Sequence, residues 1–329
     1  MNGLSYADWL IRRRDDVVRI IHDEIDRRAC SPAQAPLLRH AVAAYPRFHS
    51  RADEVHPYLH VPLLVYAGIT GDDEAGLPVA AVGLLVRMGS KLYDDLADGD
   101  LGGAWAGHST YAIVDVATML GCVLPACMIG GTRTPWVRHQ QMQELLGAGV
   151  MRMLDGQQRD LAYKQSGSVS AADVEASVVG KSGMGIALVA ALAAHAAEAS
   201  ADVTNAYAAF GRALGTVNLL AVDLREMFFD RPCRDLVQGT RTVQIAIALE
   251  QMDDAARTEF TALLDEARTS DDAQDRVRRT LRQGRYIMPW LDVLNRHRAD
   301  ASAALAAAAP KEPAASFLRE LLSSQTSGV

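Results

Sequence analysis

The chain has 329 residues, 49% hydrophobic and 22% charged, enough apolar content for a large core and too few charges for wholesale disorder. A formal net charge of -7 gives no electrostatic reason to expect nucleic acid or an anionic membrane surface as a partner. Cys30, Cys122, Cys127 and Cys233 form no C-x-x-C pair, which argues against a zinc site and a disulfide framework. In chain order, apolar residues at helical spacing predict helices over about Ser5–Arg28, Ala33–Ala44 and Pro57–Ile69. A fourth starts near Pro78 and carries the run Val79–Met88 into Lys91-Leu92-Tyr93-Asp94-Asp95. Others are expected over Tyr111–Met128, Pro135–Tyr163, Ala171–Ala197, Val203–Phe229, Arg234–Met252, Asp254–Thr269, Asp271–Arg296 and Ser302–Ala308, with a short one at the end.

The punctuation agrees. Pro78 and Pro135 stand where a first helical turn tolerates proline, and Ser170-Ala171-Ala172-Asp173 has the form of an N-terminal cap. Pro310 and Pro313 mark a turn. No stretch alternates with a period of two, and no linker or repeat divides the chain. One all-α domain over residues 1–329 is expected. Met1-Asn2-Gly3-Leu4 does not open a signal peptide. The apolar stretch Tyr111–Gly131 contains Asp115 and Pro125 and reads as a core helix. A soluble cytoplasmic protein without stable membrane insertion is the expectation.

On a helix, Asp94 and Asp98 share a face, with Asp95 beside them. Three carboxylates this close repel one another unless a divalent cation lies between them. Oxygen-only ligands suit Mg²⁺, which keeps some waters and completes its shell with substrate phosphates. The motif ends an otherwise apolar helix, which places its charges at the rim of an apolar interior and fits a substrate with a diphosphate head and a hydrocarbon tail. A solvated helix end, with Asp98-Gly99-Asp100 as a turn, would produce the same letters, and the motif alone does not choose.

Further segments do. Gly156-Gln157-Gln158-Arg159-Asp160-Leu161 precedes Lys181-Ser182-Gly183, then Phe210–Gly215 leads into Asp223-Leu224-Arg225-Glu226, followed by Asp235-Leu236-Val237-Gln238-Gly239-Thr240-Arg241-Thr242. In order and spacing this set resembles the trans-isoprenyl diphosphate synthase (polyprenyl synthetase) family of class I isoprenoid enzymes, from about Pro57 to Thr242. The resemblance implies a helical bundle around a deep apolar pocket with two acidic motifs at its mouth. It implies about two or three Mg²⁺ ions, an isoprenyl diphosphate substrate and a homodimer. It assigns metal to Asp94 and Asp98, a catalytic place to Asp95, and diphosphate contacts to Gln157 and Lys181, with Asp160 in the same segment.

The chain departs from the family in two places. The second acidic motif reads Val222-Asp223-Leu224-Arg225-Glu226, its first Asp replaced by a residue that binds no metal. Asp223, Glu226 and Asp230 still fall at i, i+3 and i+7, with Asn218 as an accessory ligand; Arg225 is placed to neutralise part of the stripe. The family's loop lysine is replaced by Thr240, leaving the adjacent Arg241 for the phosphate. Chain-elongating members also carry G-K-x-x-R-P and an Arg pair for a second diphosphate. Here Pro57-Tyr58-Leu59-His60-Val61-Pro62 and Gly99–Trp105 contain neither Lys nor Arg. Burying a second diphosphate without cations would be prohibitive.

The expected function is therefore a terpene synthase (cyclase) of secondary metabolism that ionises an allylic diphosphate of farnesyl, geranylgeranyl or longer length. A prenyltransferase with an acceptor other than isopentenyl diphosphate comes second, and an inactive regulatory subunit of a heteromeric synthase third. Gly89 and Ser90, one turn before the first motif, either leave room for a long tail or merely allow close helix packing. Tyr93, Trp105, Trp136 and Trp290 are candidate aromatic faces for a carbocation.

Overall fold

The computed structural model describes residues 5–45, 55–131, 136–164 and 169–325, with the side chains of residues 136 and 137 and all of Pro135 outside the description. Among the described residues there is no strand, and the expected all-α class holds. The helices are α1 (Tyr6–Arg28), α2 (Gln34–Ala43), α3 (Pro57–Thr70), α4 (Leu77–Asp98), α5 (Thr110–Thr118), α6 (Leu124–Gly130), α7 (Trp136–Lys164) and α8 (Ala171–Val178). They continue as α9 (Met184–Ala196), α10 (Ala201–Phe229), α11 (Arg234–Gln238), α12 (Val243–Gln251), α13 (Asp254–Glu266), α14 (Asp271–Leu281), α15 (Gly284–Ala308) and α16 (Ala314–Ser324). The caps follow the sequence: Ser5, Ser109, Ser170, Asp253 and Ser270 each accept a backbone N–H of the first turn with their side chains.

The expected helix Arg234–Met252 is two, because Gly239 closes α11 with φ +73° and the chain turns before Thr242 caps α12. The break expected before Ser302 lies instead at Arg282-Gln283, and α15 runs on to Ala308. Two expected helices contain a π-helical turn, Met119–Val123 between α5 and α6 and Val179–Gly183 between α8 and α9. The stretches Thr110–Gly130 and Ala171–Ala196 are long and apolar enough to cross a membrane, though 50% and 67% of their most apolar windows are buried within the fold.

The chain falls into two compact units. One comprises Met1–Val150, Ile186–Ala208 and Leu305–Leu321, where α4 packs against α1, α3, α5 and α6 and leaves Leu59, Leu63, Leu64, Leu84 and Leu85 fully enclosed. α1 is fastened by Asp73, which accepts hydrogen bonds from both Nε and Nη2 of Arg13 (2.8 and 2.9 Å) and from Trp9 Nε1 (2.6 Å). Burial alone would raise the Asp73 carboxyl; Arg13 and Trp9 outweigh it and hold it at about 2. The other unit comprises Met151–Gly185, Ala209–Ala304 and Leu322–Val329. In its core Val217, Leu220 and Leu224 of α10 meet Val174 and Val178 of α8, Val243 and Ile247 of α12, and Trp290.

Candidate functional site

The first acidic motif occupies the last two turns of α4, closed by Gly99 at φ +69°. Asp94, Asp95 and Asp98 are all half-buried. Asp95 pairs with Lys91 one turn earlier, and its carboxyl is nonetheless raised, by burial first, with Lys91 pulling against it. The family's middle position is therefore held by an internal cation. The loop after the motif is pinned by Trp105, which is buried and meets the His40 ring edge-on at 5.3 Å, while His40 Nε2 bonds the Ala104 carbonyl at 2.7 Å.

Gly89 serves packing. A Cβ there would stand 2.4 Å from Gly121 Cα, so α4 and the π turn at Met119–Val123 touch backbone to backbone. Ser90 Oγ donates to the Arg87 carbonyl, and the Tyr93 hydroxyl is 2.5 Å from Thr118 Oγ1. Trp290 is wholly enclosed in the apolar core of its own unit, away from any role as an exposed aromatic face, and the Trp136 side chain lies outside the described residues. Arg87 was missed by motif reasoning, although it is the only charge in the run Val79–Met88. Its guanidinium lies 5.7 Å from the Tyr58 ring centroid. Burial opposes its charge, and Tyr45, Tyr58 and Asp94 outweigh that cost.

In the second unit four carboxylates gather around one lysine. Lys181 lies in the π turn Val179–Gly183 and donates to Asp160 Oδ2 of α7 at 3.0 Å. Gly156 makes this approach possible, since a Cβ on it would stand 2.3 Å from the Lys181 backbone nitrogen. Asp223 is pushed well above the ordinary carboxylate range by burial, then by Asp235 and Asp160, with Lys181 opposing. Asp235 is pushed up to about 7 by burial, then by Glu226 and Asp160. Its backbone N–H donates to Glu226 Oε1 at 2.9 Å, while its Oδ2 is buried without a hydrogen-bond partner.

The expected stripe is realised in part. Asp223 and Glu226 belong to the cluster, but α10 ends at Phe229, so Asp230 leaves the helix and is exposed. Arg225 is also exposed; Glu226 has the Arg234 guanidinium at 3.7 Å. Asn218 and Gln157 are half-buried, on α10 and α7. The sequence Asp235–Thr242 assigns Asp235 no role by itself, because its convergence with Glu226 needs the turn between α10 and α11. Among the described residues no three carboxylate, imidazole or thiol groups converge on one ion position. The buried, unpartnered Asp235 Oδ2 is an oxygen donor of the kind a hard divalent cation takes.

Residues 69–281, more than half of the chain, match the polyprenyl synthetase family model. The chain belongs to the polyprenyl synthetase family. Both acidic motifs and Lys181 lie inside the match, and the stretch Pro57–Pro62 lies outside it. Among solved structures, the fold is similar to a polyprenyl synthetase from Streptomyces coelicolor A3(2), at 19% identity and a TM-score of 0.82, covering 98% of this chain and 99% of that one. A decaprenyl diphosphate synthase from Rhodobacter capsulatus matches at 15% identity and a TM-score of 0.83, with 98% of each chain covered. A polyprenyl synthase from Caulobacter crescentus CB15, complexed with calcium and isoprenyl diphosphate, matches at 19% and 0.78, with 99% of each covered. No curated protein sequence matches the chain. Membership of the polyprenyl synthetase family places the chain among enzymes that process prenyl diphosphates.

Proposed function

We propose that the protein is a Mg²⁺-dependent class I terpene synthase that ionises one allylic diphosphate and rearranges or cyclises the resulting cation. The observation that carries this reading is the state of Pro57–Pro62, where elongating relatives bear Lys and Arg. Tyr58, Leu59, His60 and Val61 are all buried at the start of α3. His60 is the only residue there able to carry positive charge, and it is held neutral. Burial, then His56, push it down to about 3; Nδ1 accepts the His56 N–H at 2.9 Å, and Nε2 donates to the Leu10 carbonyl at 3.2 Å. A second diphosphate gains nothing from this segment.

Bound Mg²⁺ supplies Lewis-acid stabilisation of the departing diphosphate. Asp94 and Asp98 offer oxygen ligands from one helix face, while Lys91 keeps Asp95 occupied. Within the second unit, Lys181, fixed by Asp160, offers a protein cation to phosphate oxygens, and Asp223 and Glu226 offer oxygen ligands of their own.

A second reading, prenyl transfer to an acceptor other than isopentenyl diphosphate, is favoured by Arg87. Standing over Tyr58, it brings one cation to this region, enough for a singly charged acceptor.

Incubation with Mg²⁺ and geranyl, farnesyl or geranylgeranyl diphosphate, without acceptor, separates the two. Release of diphosphate with a hydrocarbon or alcohol product is expected. Substrate that binds unchanged until an acceptor is added would give the place to prenyl transfer. In the same assay Asp94→Asn should lower turnover roughly 100-fold or more, and Asp95→Asn far less, since Lys91 already occupies that carboxylate. Equal losses would sink the separate roles of the two residues.

A further inference from the structure

Glu226 lies in the last turn of α10 and Asp235 in the first turn of α11. The hydrogen bond from the Asp235 N–H to Glu226 Oε1 therefore depends on the path the chain takes between them. One face of α14 holds that path at four points. Arg278 Nε donates to the Met227 carbonyl at 2.7 Å, and its Nη2 donates to the Asp230 carbonyl at 3.0 Å. Its Nη1 reaches Asp275 Oδ1 at 2.9 Å, and the same carboxylate pairs with Arg231 of the turn at 2.9 Å. Gln274 Oε1 accepts the Cys233 N–H at 3.0 Å, while its Nε2 donates to the Ala267 carbonyl at 3.1 Å. Gln274 and Arg278 stand one turn apart on α14, with Asp275 beside them.

The last carbonyls of a helix usually go to water or to a glycine cap. At the end of α10 a buried guanidinium takes them instead: Arg278 is 4% exposed and Gln274 2%. Burying such groups is costly unless each is hydrogen-bonded. Fastening α14 does not require them, because Ala273, Val277 and Leu281 already pack it into an apolar cluster with Met227, Cys233 and Leu236. Beyond α14 itself, the side-chain hydrogen bonds of this polar face all go to the α10–α11 turn, save the one to Ala267.

We infer that Arg278, supported by Gln274 and Asp275, is a positioning residue for the second acidic motif: it fixes how Glu226 and Asp235 meet and so sets the affinity of this carboxylate group for Mg²⁺. The inference rests on the proposed role of Asp223 and Glu226 as metal ligands, and not on the choice between cyclisation and prenyl transfer. Arg278 touches none of these carboxylates and acts through the backbone that carries them. Outer partners of this kind change metal affinity by about 10- to 100-fold when they are removed.

Hydrogen exchange on the full-length chain tests this in two ways. Without metal, the Asp235 N–H should exchange faster in Arg278→Gln than in wild type, because its bond to Glu226 slackens. With inorganic diphosphate present, the Mg²⁺ concentration that half-protects residues 223–238 should rise roughly tenfold in Arg278→Gln. Arg278→Lys, which keeps the charge and a donor for one carbonyl, should shift it less. Gln274→Met releases Cys233 alone and should move both readings in the same direction; these two variants keep the test standing if Arg278→Gln folds poorly. Val277→Ala is the control, since it opens a cavity in the apolar cluster, lowers the thermal midpoint and leaves the polar face in place. Its Mg²⁺ half-point should match wild type. A Val277→Ala shift as large as that of Arg278→Gln would make Arg278 a fold-holding residue only and overturn the positioning role. Wild-type Mg²⁺ dependence in the Arg278 and Gln274 variants would overturn it too, while leaving the second motif as a metal site. A wild type that Mg²⁺ never protects in this segment would overturn the metal reading of the motif, and the positioning role with it.

Discussion

His60 shows how one side chain carries both stability and specificity. Its ring is fully enclosed between the His56 N–H and the Leu10 carbonyl, so protonating it would strand a charge in the core of its unit. Its pKa is lower in the folded chain, about 3, than in the unfolded one, near 6.5. The unfolded chain therefore binds more protons as the pH falls, and this contribution to stability is full above pH ~6.5 and lost towards pH ~3. From pH 7 to pH 5 the loss should come to about 2 kcal/mol. Asp235 acts in the opposite sense: its folded pKa of about 7 lies above the unfolded value, so its contribution is present at low pH and lost as the pH rises towards 7. Comparing wild type with His60→Gln, which can keep one donor and one acceptor but does not titrate, isolates the histidine. Urea midpoints should fall from pH 7 to pH 5 more steeply in wild type; parallel curves would show that His60 is not held neutral. The sequence displayed this histidine, but its burial depends on α1 folding over α3, which no local pattern reveals.

Helix existence was legible throughout, because amphipathic periodicity and capping residues are local. The π turns at Met119–Val123 and Val179–Gly183 were not. Each sits where two backbones touch, Gly89 against Gly121 and Gly156 against Gly180, and such a bulge answers to a partner distant in sequence. Gly183 and its neighbours gave a partial signal, as small residues that ease departure from regular helix. The same contact decides what Gly89 is for. Were it a pocket wall, Gly89→Ala would shorten the tail the enzyme accepts and leave stability alone. Because the new Cβ would lie 2.4 Å from Gly121 Cα and 2.6 Å from the Ala117 carbonyl, overpacking should instead destabilise the fold by about 1–3 kcal/mol. Thermal midpoints and activity across three substrate lengths should show a stability loss with unchanged length preference. A shifted preference at an unchanged midpoint would restore the pocket-wall role.

Family and fold class were readable at the scale of the whole chain, because order and spacing of several weak motifs survive where each motif alone does not. Identities of 19% to a polyprenyl synthetase and 15% to a decaprenyl diphosphate synthase accompany TM-scores above 0.8, so the scaffold tolerates wide exchange of sequence. This bears on whether a second-diphosphate site could be returned to the chain. Tyr58→Lys with Val61→Arg would restore the letters of the elongating motif. Yet Val61 is 0% exposed and Tyr58 8%, and Arg87 already lies across the Tyr58 ring. A guanidinium placed at Val61 would lose its hydration without a carboxylate in place to receive it, and a lysine at position 58 would face the Arg87 charge. The double variant should therefore melt well below wild type and form no longer product from farnesyl and isopentenyl diphosphates, whereas a variant that folds normally and elongates would show that the second site was lost by those two exchanges alone. Adding Arg87→Gln removes the like charge and should recover part of the lost midpoint. Its failure to do so would place the whole cost at Val61, where the wall of the α3–α4 core admits no charge.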